Sequence, residues 1–159
     1  MRVVFICWGN ICRSPILERV FARRTAEAGL EVEAESFGLS GEEQGNPIDH
    51  RARRVLRDAG YDPDGHRARK IRPEYVRETD LFVVAEDSHR NWLRQMIPEA
   101  DIRLVTDFIP GRPPGDPMID PWYGPDEGFT DTLADAEAAM PALLAQVRRR
   151  IGSPQAGDG

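Results

Sequence analysis

The chain has 159 residues, a formal net charge of −6 and two cysteines. That length suits one domain with a core of its own, the acidic balance argues against a generally basic nucleic-acid surface, and two thiols are too few for a disulfide scaffold. No apolar run reaches the roughly 20 residues a membrane helix needs, and the short apolar stretch at the N-terminus runs into Gly9, Asn10 and Arg13 rather than a cleavage site, so the expectation is a cytoplasmic protein with reduced thiols.

The first element is predicted at Arg2 to Ile6, where the β-branched run Val3 to Ile6 reads as a buried strand. Ser14 and Pro15 then suit the cap and first position of a helix with Ile16, Leu17, Val20 and Phe21 inward, ended by Gly29. A second strand is read at Val32 to Phe37, a loop to Asn46, and a helix over Pro47 to Ala59. A short helix at Pro73 to Arg77 leads to a third strand, Leu81 to Ala85, and a helix capped by Asp87 or Ser88 that runs to Met96. Asp101 to Val105 is the fourth strand. Ile109 to Gly128 is dense in proline and glycine and reads as a long loop, a kind that is often functional. A helix capped by Thr130 runs to Ile151, with Pro141 as a possible kink.

Strands alternating with helices indicate an α/β fold: a single-domain three-layer sandwich with a central four-stranded parallel sheet and helices on both faces, spanning residues 1–151. Residues 152–159 lack apolar anchors and read as a disordered tail. Ligands in such folds bind at the carboxyl ends of the strands, which directs attention to the loop after strand one.

That loop reads Cys7-Trp8-Gly9-Asn10-Ile11-Cys12-Arg13-Ser14-Pro15. A thiol and a guanidinium stand at its two ends, between a strand and a helix N-terminus. The backbone N–H groups of such a loop converge on an anion, and the helix dipole adds positive potential. Gly9 and Asn10 are the residues that permit positive φ. Arg13 is expected to fork onto two phosphate oxygens. The same surroundings favour the thiolate of Cys7, a nucleophile poised for the phosphorus of a bound monoester, and the Ser14 hydroxyl is placed to hydrogen-bond its sulfur. A nucleotide-type phosphate loop is discounted because its Gly-Lys-Ser/Thr is absent. The arginine clusters Arg51 to Arg57, Arg67 to Arg72 and Arg148 to Arg150 read as solvated faces.

Residues 7 to 15 match in full the Cys-x-Gly-Asn-x-Cys-Arg-Ser-Pro signature of the low-molecular-weight protein tyrosine phosphatases, which the chain resembles. Asp120-Pro121-Trp122-Tyr123 looks like the family's late Asp-Pro-aromatic-Tyr motif, Ser36-Phe37-Gly38 its Ser-x-Gly, and His66-Arg67-Ala68-Arg69 its His-x-Ala-Arg. The resemblance implies a redox-sensitive hydrolase that cleaves phosphotyrosine in proteins. Cys7 is its nucleophile, Arg13 its phosphate clamp, and Asp120 its general acid and then base. Trp8, Gly9, Asn10, Ile11, Cys12 and Ser14 form the cradle, and Asn10, Ser14, Ser36 and His66 the polar support. Trp122 and Tyr123 flank the entrance. Cys12 forms a reversible disulfide with the nucleophile under oxidation. From the residues alone Asp120 is one of several loop aspartates, beside Asp116 and Asp126; the resemblance singles it out.

The implied partners are a phosphotyrosine protein, a tyrosine kinase or its target, with phosphate and other oxyanions as inhibitors, no nucleic acid or membrane, and a monomer or weak dimer. No metal or other cofactor is expected, because Arg13 and the backbone supply the positive potential, and His50, His66 and His89 lack ligand spacing. Arsenate reductases of this fold need further cysteines than Cys7 and Cys12. Protein arginine phosphatases tend to carry threonine where Ile11 stands. A silent phosphate-binding module would not need Cys7, Arg13 and Asp120 together. Glu42 and Glu43 follow Ser40 near the expected rim and predict a preference for neutral or basic peptides.

Overall fold

A computed structural model describes residues 1–152. Four strands, β1 (Arg2–Cys7), β2 (Glu33–Gly38), β3 (Leu81–Val84) and β4 (Ile102–Leu104), form one parallel sheet in the order β2-β1-β3-β4. The helices are α1 (Arg13–Glu27), α2 (His50–Asp58), α3 (Pro73–Val76), α4 (Asp87–Met96) and α5 (Glu127–Gly152). A 3₁₀ turn, Val105–Phe108, follows β4.

Side chains alternate across a strand, and β1 divides its apolar residues accordingly. Val3, Phe5 and Cys7 join the core under α1 and α5, where Phe5 meets Phe21 edge-on at 5.2 Å. Val4 and Ile6 join Phe37, Phe82 and Leu93 in the core on the opposite face. With both faces covered, β1 has no polar position after Arg2, which is why Val3 to Ile6 reads as a continuous apolar run. Each fully buried side chain of this size contributes roughly 1.5–3 kcal/mol.

The chain leaves β1 for β2 on one side and later reaches β3 on the other, so the strand order reverses beside β1. The crevice at such a switch point is where α/β sheets bind ligands, and Cys7 stands there, paired in register with Gly38.

Several boundaries differ from expectation. Ser14 does not cap α1; Cys12 holds the cap position without a side-chain bond, and the Ser14 hydroxyl turns to the Cys7 sulfur. α2 begins at His50 rather than Pro47, because the Asp49 carboxylate accepts from the Arg51 N–H and caps it there. Glu86, not Asp87 or Ser88, precedes α4, and the Ser88 hydroxyl donates back to it. α5 begins at Glu127 rather than Thr130 and continues through Pro141 to Gly152. Gly152 thus belongs to the helix, and the rest of the expected tail, 153–159, lies outside the described residues. Among the described residues no helix is long and apolar enough to cross a membrane.

Candidate active site

The turn after β1 is built so that its carbonyls face out. Leu39 N–H donates to Cys7 O at 3.0 Å, Ser40 N–H to Trp8 O at 3.0 Å, Asp49 N–H to Ile11 O at 2.9 Å and Ile16 N–H to Cys12 O at 3.1 Å. His66 Nε2 lies 2.7 Å from Asn10 O. In a trans peptide the N–H points opposite the C=O. Anchoring those carbonyls outward therefore turns the N–H groups of Trp8, Gly9, Ile11, Cys12 and Arg13 inward. The Asn10 N–H points at the Cys7 sulfur, at 3.3 Å. The result is a ring of donors around one sulfur, at the N-terminus of α1.

Asn10 takes the positive φ of the turn, at 62°, and Gly9 does not. The left-handed conformation is open to Asn because its side chain bonds locally, and here that side chain is fully used. Asn10 Nδ2 donates to Ser14 Oγ at 2.9 Å and to Ser36 Oγ at 3.0 Å, and Asn10 Oδ1 accepts from the Arg69 N–H at 3.0 Å. The Ser36 hydroxyl donates in turn to Glu18 Oε1 at 2.6 Å. Burial raises the Glu18 carboxyl pKa against the pull of that bond. Ser14 accepts from Asn10 and keeps a hydroxyl hydrogen that it can give to Cys7, 3.0 Å away. A carbonyl only accepts, so His66 is the Nε2–H tautomer; burial lowers its pKa and keeps it neutral.

Gly38 is required by a close approach. A Cβ there would lie 2.8 Å from Trp8 O, 3.1 Å from Asn10 Cβ and 3.2 Å from the Gly9 carbonyl carbon. The turn rests directly on the end of β2.

Cys7, Trp8, Gly9, Asn10, Ile11, Cys12, Arg13, Asp120, Trp122 and Tyr123 all line one cleft of about 390 Å³. Ser14, Ser36 and His66 stand behind it as the network above. Arg13 is 3 % exposed. Its Nη1 donates to Glu86 Oε2 at 2.7 Å and Met118 O at 2.9 Å, and its Nη2 lies 3.5 Å from Asp120 Oδ2. Glu86 and Met118 thus hold the guanidinium through Nη1. Trp8 packs edge-on against Trp92 at 5.7 Å and makes an aromatic wall. Glu42 and Glu43 line the rim.

Sequence reasoning missed Glu86, His89 and Trp92, which also line the cleft. Glu86 follows β3 closely, and the carboxyl-end rule would have found it. Burial raises its carboxyl pKa, but the bond and charge of Arg13 outweigh this and hold it below the usual range. His89 is pushed down to about 4 by burial and by the Arg13 charge, against Glu86 and Asp120. Burial, reinforced by Asp49, Cys7 and Asp120, pushes the Cys12 thiol up, so Cys12 stays protonated. Arg69 is half-exposed but engaged. It pairs with Glu35 at 2.6 Å and lies over the Phe37 ring at 4.1 Å. Among the described residues no group of three or more His, Cys, Asp or Glu is placed to hold a metal ion.

Comparison with known proteins gives a consistent result. The model of the family described as low molecular weight phosphotyrosine protein phosphatase matches residues 2–153. A low molecular weight protein-tyrosine-phosphatase from Streptomyces coelicolor is 41% identical over 94% of this chain and 95% of its own. A crystal structure of a protein tyrosine phosphatase from Entamoeba histolytica, with Hepes in its active site, superposes with a TM-score of 0.87 at 26% identity, over 95% of this chain and 99% of its own. The Drosophila arginine phosphatase DARP shares the fold, with a TM-score of 0.85 at 23% identity over 92% of this chain and 97% of its own.

Proposed function

Because the chain belongs to the low molecular weight phosphotyrosine protein phosphatases, we propose that it hydrolyses phosphotyrosine in proteins in two steps on Cys7. The Cys7 thiolate attacks phosphorus. An S–P bond forms, the bond to the tyrosine oxygen breaks, and Asp120 gives that oxygen its proton. Water then attacks the phosphorus and loses a proton to the Asp120 carboxylate. The S–P bond breaks, phosphate leaves, and the thiolate and protonated Asp120 are restored. The inward N–H groups and Arg13 hold the equatorial oxygens, whose charge they match best in the transition state.

The observation that carries this reading is the outward anchoring of the turn's carbonyls around the Cys7 sulfur. Ser14 supports the same chemistry, since its proton stabilises the thiolate as leaving group in the second step. Trp122 and Tyr123 flank the substrate ring at the mouth. Only a long aromatic ester reaches the sulfur from there, which selects phosphotyrosine over phosphoserine.

The substrate is a phosphotyrosine protein, either a tyrosine kinase or its target, met in the cytoplasm. Phosphate and other oxyanions compete for the cradle. The protein is a monomer or weak dimer, and the exposed Trp122 and Tyr123 offer a surface for weak self-association. Hydrogen peroxide oxidises Cys7 to the sulfenic acid, and the Cys12 thiol displaces water from it to form a disulfide. That both thiols border one cleft supports this guard.

The test is to trap the intermediate. Asp120→Ala incubated with an activated aryl phosphate should accumulate a phosphoenzyme, mapped by mass spectrometry to Cys7. Phosphate on another residue overturns the mechanism. Faster release from phosphoarginine than from phosphotyrosine peptides overturns the substrate class.

A further inference from the structure

Arg51 does not line the cleft, yet it touches both halves of the site. Its Nε donates to Asp49 Oδ1 at 3.1 Å and its Nη2 to Asp49 Oδ2 at 3.2 Å. Asp49 in turn gives its backbone N–H to Ile11 O in the phosphate loop. On the other side the guanidinium carbon lies 5.2 Å from the Trp122 ring centre and 4.5 Å from that of Phe129, and Nη1 reaches Trp122 O at 3.5 Å. Trp122 donates its N–H to Asp120 Oδ1 at 3.1 Å.

The loop carrying Asp120 is pinned on its N-terminal side by Met118 N–H to Ala85 O, by Arg13 to Met118 O and by Thr132 to Ile119 O. Past Asp120 the backbone bonds are local turns, Gly124 to Pro121 and Gly128 to Pro125. Arg51 reaches that stretch from α2 with a charged side chain, beside the packing of Pro121 against Gly128 of α5. A planar guanidinium suits the place: its edge forks onto a carboxylate while its faces remain for aromatic rings, which an ammonium does not reproduce.

We infer that Arg51 is a positioning residue that docks the Asp120 loop onto the phosphate loop, setting the acid at the leaving oxygen without touching substrate. The inference rests on the two-step reading above. A misplaced acid matters only where the leaving group needs its proton, and this separates positioning from a general loss of structure.

The experiment measures kcat/KM for phenyl phosphate and for 2,4-dinitrophenyl phosphate with wild type, Arg51→Ala and Arg51→Lys, each also in an Asp120→Ala background. Thermal melts identify folded variants, and Arg51→Lys, which keeps the charge beside Asp49, serves if Arg51→Ala does not fold. Phenolate is the poor leaving group, so its reaction should slow about tenfold or more, within the range of general acid catalysis, while the dinitrophenyl ester changes by less than about twofold. Without Asp120 the difference should vanish. Equal losses on both esters, no loss on either, or a full loss that persists without Asp120 would each overturn the role of Arg51. A wild type that cleaves neither ester would instead remove the parent reading.

Discussion

The Ser14 hydroxyl stands 3.0 Å from the Cys7 sulfur, with its acceptor side occupied by the Asn10 amide at 2.9 Å. A Cys7 thiolate has no hydrogen to give, so toward the thiolate Ser14 is the donor. A donor to a developing thiolate matters most when cysteine is the leaving group.

Ser14→Ala should therefore slow breakdown of the phosphoenzyme more than its formation. A hydrogen bond to a charged group is worth about 1.5–3 kcal/mol, so kcat should fall roughly tenfold to a hundredfold. Rapid-quench kinetics with an activated aryl phosphate should show a larger burst followed by a slower steady state. A smaller burst with unchanged steady state would contradict this.

Gly38→Ala tests the contact between β2 and the phosphate loop. The added methyl meets backbone at 2.8 Å, not a flexible side-chain end. Overpacking of this kind costs about 1–3 kcal/mol, and here the strain falls on Trp8 and Asn10. Both the melting temperature and turnover should drop; a melting temperature equal to wild type would show that the loop has room to give.

Acid should destabilise the fold in two stages. His66 and His89 are neutral in the folded protein, with pKa values lowered, that of His89 to about 4. Unfolded histidine titrates near about 6.5, so their contribution is complete above that pH and is lost as pH falls below it. Burial raises Glu35 and Asp49, but bonds from Arg69 and Arg2, and from Arg51, outweigh it and hold both low. Unfolded carboxyls titrate near about 4; this second contribution is whole above that pH and disappears as pH falls through the folded values. Urea midpoints should decline from pH 7 to 5 and more steeply below 4, and His89→Gln should flatten the upper stage. The His89 ring resonances should titrate near 4.

Glu42 and Glu43 line the mouth of the cleft, and Asn46 Nδ2 holds Glu43 in place at 2.8 Å. Phosphotyrosine peptides with basic neighbours should have the higher kcat/KM at low salt, with the gap closing as the ionic strength rises. Glu42→Gln with Glu43→Gln should remove most of it. Faster turnover of acidic peptides by wild type would reverse the assignment.

Local pattern was enough for a large part of this protein. The apolar run of β1, the strand-helix alternation and the nine-residue segment Cys7 to Pro15 depend on neighbours along the chain, and each was readable there. The acid loop was legible only through its resemblance: without the family's Asp-Pro-aromatic-Tyr motif, Asp120 is one of several loop aspartates beside Asp116 and Asp126. Other roles were completed by partners distant along the chain. Ser14 was readable both as a helix cap and as a partner of the Cys7 sulfur; the fold kept the second role and added the Asn10 amide. Glu86 reaches Arg13 across 73 residues, and Arg69 reaches Asn10 across 59. Arg51 looked solvated because its partners Trp122 and Phe129 lie on another element. Propensity is set by a residue and its neighbours, whereas a buried charge or amide takes its role from whichever distant group satisfies it, and only the packed sheet decides which group that is.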